Sequence, residues 1–238
     1  MDIRQQARAF PRTLEGAAVD EGLRSYMLRV YNYMASGLAL TGIVAFLVSQ
    51  SPQAMHAIFG TPLYWLVVFA PLGLVFFLSA RITRMQPTTA QALYWVYAAA
   101  MGLSMSFIFV AYTGDSIARV FFISAGSFAG LSLYGYTTKR DLSAFASFLM
   151  VGLIGIILAS VVNLFLHSTG LQFAVSVIGV LVFAGLTAYD TQSIKELYFA
   201  GDDAGVATRK SIMGALRLYL DFLNLFLMLL QLFGNQRS

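Results

Sequence analysis

From Tyr26 onward the chain is a succession of long apolar blocks joined by short polar connections. Seven blocks stand out: Tyr26–Val48, Pro62–Ala80, Ala90–Tyr112, Ala118–Tyr136, Ala144–Leu166, Leu171–Tyr189 and Ile212–Phe233. Each approaches the roughly 20 residues that a helix needs to cross the hydrocarbon core of a bilayer. The pattern predicts an all-α integral membrane protein, with a polar N-terminal segment (1–24) followed by a seven-helix transmembrane domain (25–238). Pro71 is expected to kink the second helix. Gly126 and Gly130 have small-xxx-small spacing and are expected to allow close packing within the chain.

Composition supports a membrane rather than a soluble fold. Hydrophobic residues make up 58% of the chain and charged residues 11%, against about a quarter charged in a soluble domain. The mean hydropathy is +0.74. The absence of cysteine excludes disulfides, thiolate metal sites and cysteine nucleophiles. The opening stretch "MDIRQQARAFPRTLEGAAVDEGLRSY" lacks the pattern of a cleavable signal peptide. The first apolar helix is therefore expected to serve as an uncleaved signal anchor.

Charge sets the expected orientation. Arg4, Arg8, Arg12, Arg24 and Arg29 precede or begin the first span. Arg81 and Arg84, Lys139 and Arg140, and Lys195, Arg209 and Lys210 fall in the second, fourth and sixth connections. The first and fifth connections carry no Lys or Arg, and the third only Arg119 at its edge. The positive-inside rule puts the N-terminus in the cytoplasm. An odd number of spans then puts the C-terminus outside, unless the last helix is tilted or re-entrant. Basic residues in such loops orient the protein, so the net charge of +4 does not imply a nucleic-acid partner.

Two acids depart from this distribution. Asp221 lies inside the last apolar block, in "LYLDFLNLFLMLL", and Asp190 ends the sixth, in "VFAGLTAYDTQSIKELY". No Gly or Pro interrupts Ala188 to Tyr198, so the sixth helix is able to run on and place Asp190 within it. Helices six and seven are antiparallel, which allows the carboxylates to approach. Two carboxylates at hydrogen-bond distance in a poorly solvated site do not both ionise cheaply and share a proton. In the ionised form they would attract a hard cation such as calcium. The plainer reading pairs Asp221 with Arg217 one turn earlier and leaves Asp190 at the interface near Lys195. Intramembrane acids more often mark pathways or relays.

"GLTAYDTQSI" and "GALRLYLDFLNLFLMLLQLFGN" closely resemble the C-terminal signature of the Bax inhibitor-1 family, the transmembrane Bax-inhibitor-motif proteins. "SLYGYTTKRDLS" is similar to the central loop of bacterial members. The resemblance extends from Tyr26 over nearly all of the chain. It implies six helices around a central seventh, and a bacterial inner-membrane location. It also implies a hydrogen-bonded pair of Asp190 and Asp221 near the cytoplasmic side, acting as pH sensor and gate of a calcium leak and as a transient calcium path. An arginine near the cytoplasmic end of the second helix would latch onto Asp190. Arg81, nearer the span, is the first candidate and Arg84 the second. Arg217 and Asn224, which flank Asp221, are candidate supporting residues.

Calcium is then the expected permeant ion, the bilayer the surroundings, and no cofactor is expected. The alternative is a regulatory protein that binds a membrane-embedded protease through its polar N-terminal segment, Met1 to Gly22. An intramembrane enzyme is disfavoured. His56 and His167 lie in connections, no HExxH zinc motif is present, and no phosphate-binding Gly-rich loop is present.

Overall fold

The structure is a computed structural model. It describes the backbone of residues 3–237 and the side-chain environment of residues 20–237. The helices are α1 (Ile3–Ser49), α2 (Pro52–Phe59), α3 (Leu63–Arg81), α4 (Pro87–Met105), α5 (Ile108–Ala111), α6 (Gly114–Thr137), α7 (Ser143–Leu166), α8 (Thr169–Glu196) and α9 (Ala204–Phe233). Seven stretches are long and apolar enough to span a membrane: Asp20–Ser49, Leu63–Arg84, Pro87–Ala111, Gly114–Thr137, Ser143–Leu166, Thr169–Glu196 and Ala204–Phe233. They overlap the seven blocks of the sequence one for one. The protein is an all-α membrane protein.

Local chemistry marks the ends of the helices. Ser51 Oγ accepts from Ala54 N at 3.2 Å, and Pro52 opens α2. This short helix occupies a connection for which the apolar pattern predicted none. Ser168 Oγ accepts from Leu171 N at 3.2 Å at the start of α8, and Asp203 Oδ1 from Val206 N at 2.8 Å at the start of α9. Each satisfies a backbone donor that the first turn of a helix leaves free. Between α7 and α8 the chain turns at His167, whose φ of 48° is left-handed.

The last helix is the axis of the bundle. Its burial is the highest of the seven spans, and Leu216, Leu218, Leu225 and Leu230 are almost wholly enclosed. It packs mainly on α8, α1, α6 and α4, while α3 leans on α4 and α7 on α8. Lipid is as apolar as leucine, so such a bundle is held by close packing and interhelical hydrogen bonds rather than by escape from water. Two helix backbones approach closely at Gly135 of α6, where a Cβ would collide with the backbone carbonyl oxygen of Ala188 on α8. The hydrogen bonds include Tyr31 Oη with Ser132 Oγ at 2.6 Å, Ser132 Oγ with Thr191 Oγ1 at 3.0 Å, and Thr41 Oγ1 with Tyr219 Oη at 2.7 Å.

One expectation is revised. Gly126 and Gly130 do not mediate packing within the chain, because nothing lies within 4 Å of a Cβ built at either one. Their shared face points away from the bundle. The final helix agrees with the seven-span expectation and does not double back. It runs unbroken for 30 residues, about 45 Å at 1.5 Å per residue. Its tail is fastened at the far end, where Arg237 N donates to Ala111 O at 2.9 Å and Asn235 N to Ser116 Oγ at 2.8 Å. That is the end opposite the α8–α9 connection. The polar N-terminal segment continues the first span as helix from Ile3.

Candidate functional site

The site is built on the antiparallel seam between α8 and α9. Contacts along it set the register. Ser176 Oγ is 2.8 Å from Gln231 Oε1, and Met228 crosses Gly179, whose Cβ would lie 2.8 Å from the Met228 sulfur. Farther along, a Cβ on Gly214 would lie 2.9 Å from Ile194 Cγ2, and Lys210 Nζ donates to Leu197 O at 2.9 Å. Asp190 and Asp221 fall between the second and third of these contacts.

The two carboxyls are close neighbours there across the seam. Asp221 is only 5% exposed, whereas Asp190 is half-buried. Among the described residues no hydrogen-bond partner serves Asp221 Oδ2. A carboxylate accepts but does not donate, so a bond between two carboxyls exists only while one of them holds a proton. A doubly ionised pair would set a buried and a half-buried negative charge side by side, an expensive arrangement.

Neither of the plainer pairings is formed. Arg217 is exposed, and its charge acts on both carboxyls. Yet among the described residues the one ion pair is Lys210 with Asp202, at 2.6 Å. Lys195 turns from Asp190 to Tyr136, donating to its carbonyl at 2.8 Å and lying 5.1 Å from its ring centroid. Asn224 is half-buried, and its Nδ2 donates to Leu220 O at 2.8 Å. Arg81 closes α3 and Arg84 ends the following 3-10 turn. Both are exposed, and no ion pair joins either to Asp190 among the described residues. The residue that this turn presses into the bundle is Ile82.

Among the described residues no three His, Asp or Glu side chains cluster as a metal site. The pair therefore offers a cation two carboxylates and no enclosing ligand set, fewer than the six to eight oxygens of a resident calcium site. A larger cavity, of about 590 Å³, lies elsewhere, between α1 and α6. It is lined by apolar residues such as Met27, Leu28 and Leu133, and nothing in the structure shows what covers it.

The family model described as "Inhibitor of apoptosis-promoting Bax1" matches residues 23–238. An uncharacterised protein of Rickettsia prowazekii is 49% identical over 226 residues, covering 95% of this chain and 96% of its own length. The inner membrane protein YbhL of Escherichia coli is 47% identical over 231 residues, covering 96% and 99%. A protein of Caulobacter vibrioides is 45% identical over 246 residues, covering 99% and 98%. The match spans all seven membrane helices and both aspartate motifs, and the chain belongs to the Bax inhibitor-1 family.

Proposed function

We propose that the protein is a passive, proton-regulated cation leak, with calcium as the permeant ion and the Asp190–Asp221 pair as sensor and gate. One observation carries the reading: on the central helix of a membrane bundle, a buried carboxyl with an oxygen that has no partner among the described residues lies beside a second carboxyl. With one proton shared between them, the pair carries a single negative charge and ties α8 to α9. On losing the shared proton it becomes doubly negative, loses the interhelical bond and attracts a hard cation. Proton loss thus supplies the attraction for the ion and the repulsion that loosens the seam. By the distribution of basic residues, the Lys210 end faces the cytoplasm. No step calls for a nucleophile or cofactor, so the protein acts as a conduit and not as an enzyme. In the same scheme Arg81 would latch onto Asp190 only if the end of α3 moved toward α8.

The test is calcium entry into proteoliposomes as pH is varied. Asp190→Asn and Asp221→Asn keep the shape and delete the titration. Both are expected to fold and to lose the pH dependence of the flux. A flux with unchanged pH dependence in both variants would remove the mechanism.

The alternative is regulation of a membrane-embedded protease. It draws on the helical continuation of α1 through the polar N-terminal residues. Deleting residues 1–22 separates the two readings. A leak retains its pH response, whereas a regulator loses its partner.

A further inference from the structure

The α8–α9 seam is polar at a second place. Where α7 turns into α8, a cavity of about 340 Å³ is lined by Ser160 and Asn163 of α7, His167 of the turn, Gln172 of α8 and Gln231 of α9. At roughly 30 Å³ per molecule this is room for about ten waters. A belt of polar residues at a membrane interface is ordinary, but here the polar groups are gathered into one concavity. Leu164 and Val175 complete its lining, while the neighbours at the same level that face outward, Phe165, Leu166 and Phe173, are apolar and well exposed. Gln231 is held at the rim by Ser176, at the head of the seam that leads to Asp221, about 15 Å away along α9.

Between the two polar places the seam is apolar, and Met228 packs across it. Met228 lies over Gly179, and its Cγ and Sδ are both 2.8 Å from where a Cβ on that residue would stand. A larger residue at 179 would force the methionine to shift. Asn224, one turn beyond, is the next polar side chain toward the acid pair. A narrow apolar ring between hydrated compartments blocks ions by dewetting.

We propose that the cavity at the α7–α8 turn is a hydrated entry vestibule for the cation, and that Met228 seated on Gly179 is the hydrophobic constriction separating it from the Asp190–Asp221 pair. The assignment rests on the leak reading and adds to it the route and a second barrier. The cavity offers a cation neutral oxygens from serine, asparagine and glutamine. Such ligands suit an ion that is still largely hydrated and passing through.

The chain contains no cysteine, so introduced cysteines report alone. Full-length protein carrying Gln231→Cys, Asn224→Cys or the lipid-facing control Leu181→Cys is placed in spheroplast membranes and treated with a membrane-impermeant cationic methanethiosulfonate. Gln231→Cys is expected to react at least tenfold faster than Leu181→Cys, and Asn224→Cys no faster than that control. Adding Met228→Ala to Asn224→Cys should raise its rate at least tenfold, while Met228→Leu, which keeps the bulk, should leave it slow. Equal rates for Gln231→Cys and Leu181→Cys would overturn the vestibule. An Asn224→Cys rate indifferent to Met228→Ala would overturn the constriction. Labelling does not use calcium. Loss of the leak reading through the aspartate variants therefore leaves these rates unchanged, and the two failures are told apart.

Discussion

Thr41 Oγ1 on α1 lies 2.7 Å from Tyr219 Oη on α9 and donates its own proton to Ala98 O on α4 at 2.8 Å. A hydroxyl has one proton to give. The order is therefore fixed: Tyr219 donates to Thr41, and Thr41 to Ala98. Three helices are joined through one buried threonine, with Tyr97 set edge-on to Tyr219 at 5.4 Å.

That order makes the two truncations unequal. Tyr219→Phe leaves Thr41 bonded to Ala98 and should cost about 0.5–1.5 kcal/mol. Thr41→Val strands the buried Tyr219 hydroxyl, while the Ala98 carbonyl keeps its place in the α4 ladder, and should cost about 1–3 kcal/mol. Thermal unfolding in detergent, read for both single variants and the double, checks this. Equal losses would contradict the direction assigned.

Gly135→Ala should destabilise by about 1–3 kcal/mol, because its Cβ meets backbone rather than a movable side chain. Gly126→Ala, on the open face of the same helix, should leave the melting temperature unchanged or slightly raised. The comparison controls for helix propensity, and a similar loss at both positions would refute the close approach.

The clamp across the α8–α9 connection has a smaller effect. Lys210 bonds both Asp202 Oδ2 and Leu197 O. Asp202→Asn removes one charge and keeps the carbonyl bond. A loss below about 1 kcal/mol is expected, shrinking further in high salt. A large, salt-insensitive loss would mean that Asp202 is tied into the fold some other way.

Outside the spans, the Ser143 backbone N–H donates to Asp141 Oδ1 at 2.8 Å and holds that carboxyl below its ordinary range. Its stabilising contribution is present above the unfolded value of about 3.9 and is lost as pH falls through the lower folded value. Asp141→Asn should therefore melt slightly below wild type at neutral pH and coincide with it in strong acid. A gap that persists below pH of about 2 would assign the effect to shape and not to charge.

The seven spans were legible because apolar length is a local property. Asp221 stood out for the same reason, as one acid in a run of leucine and phenylalanine. Its meeting with Asp190 was not local, and rested on antiparallel geometry and on the family motifs. Gly126 and Gly130 show the opposite limit: spacing tells which residues share a helix face but not what lies across from it. The first connection did carry a signal, since Ser51 followed by Pro52 is a helix start, but without a long apolar block it was passed over. Gln231, Ser176 and Met228 gave no warning, because a lone amide near a helix end and a methionine in a greasy run are both commonplace. Their meaning depends on Gly179, which stands opposite them only in the folded chain.

The bare backbone contact at Gly135 has a mechanical consequence. With no side chain between them, α6 and α8 have nothing to slide on, and prising them apart would break the Ser132–Thr191 bond as well. They form a single stiff plate that already carries Asp190. In the proposed leak, widening around the acids would then come from displacement of the central rod, α9, against that plate, which gives the scheme a stator and a moving part that carries Asp221.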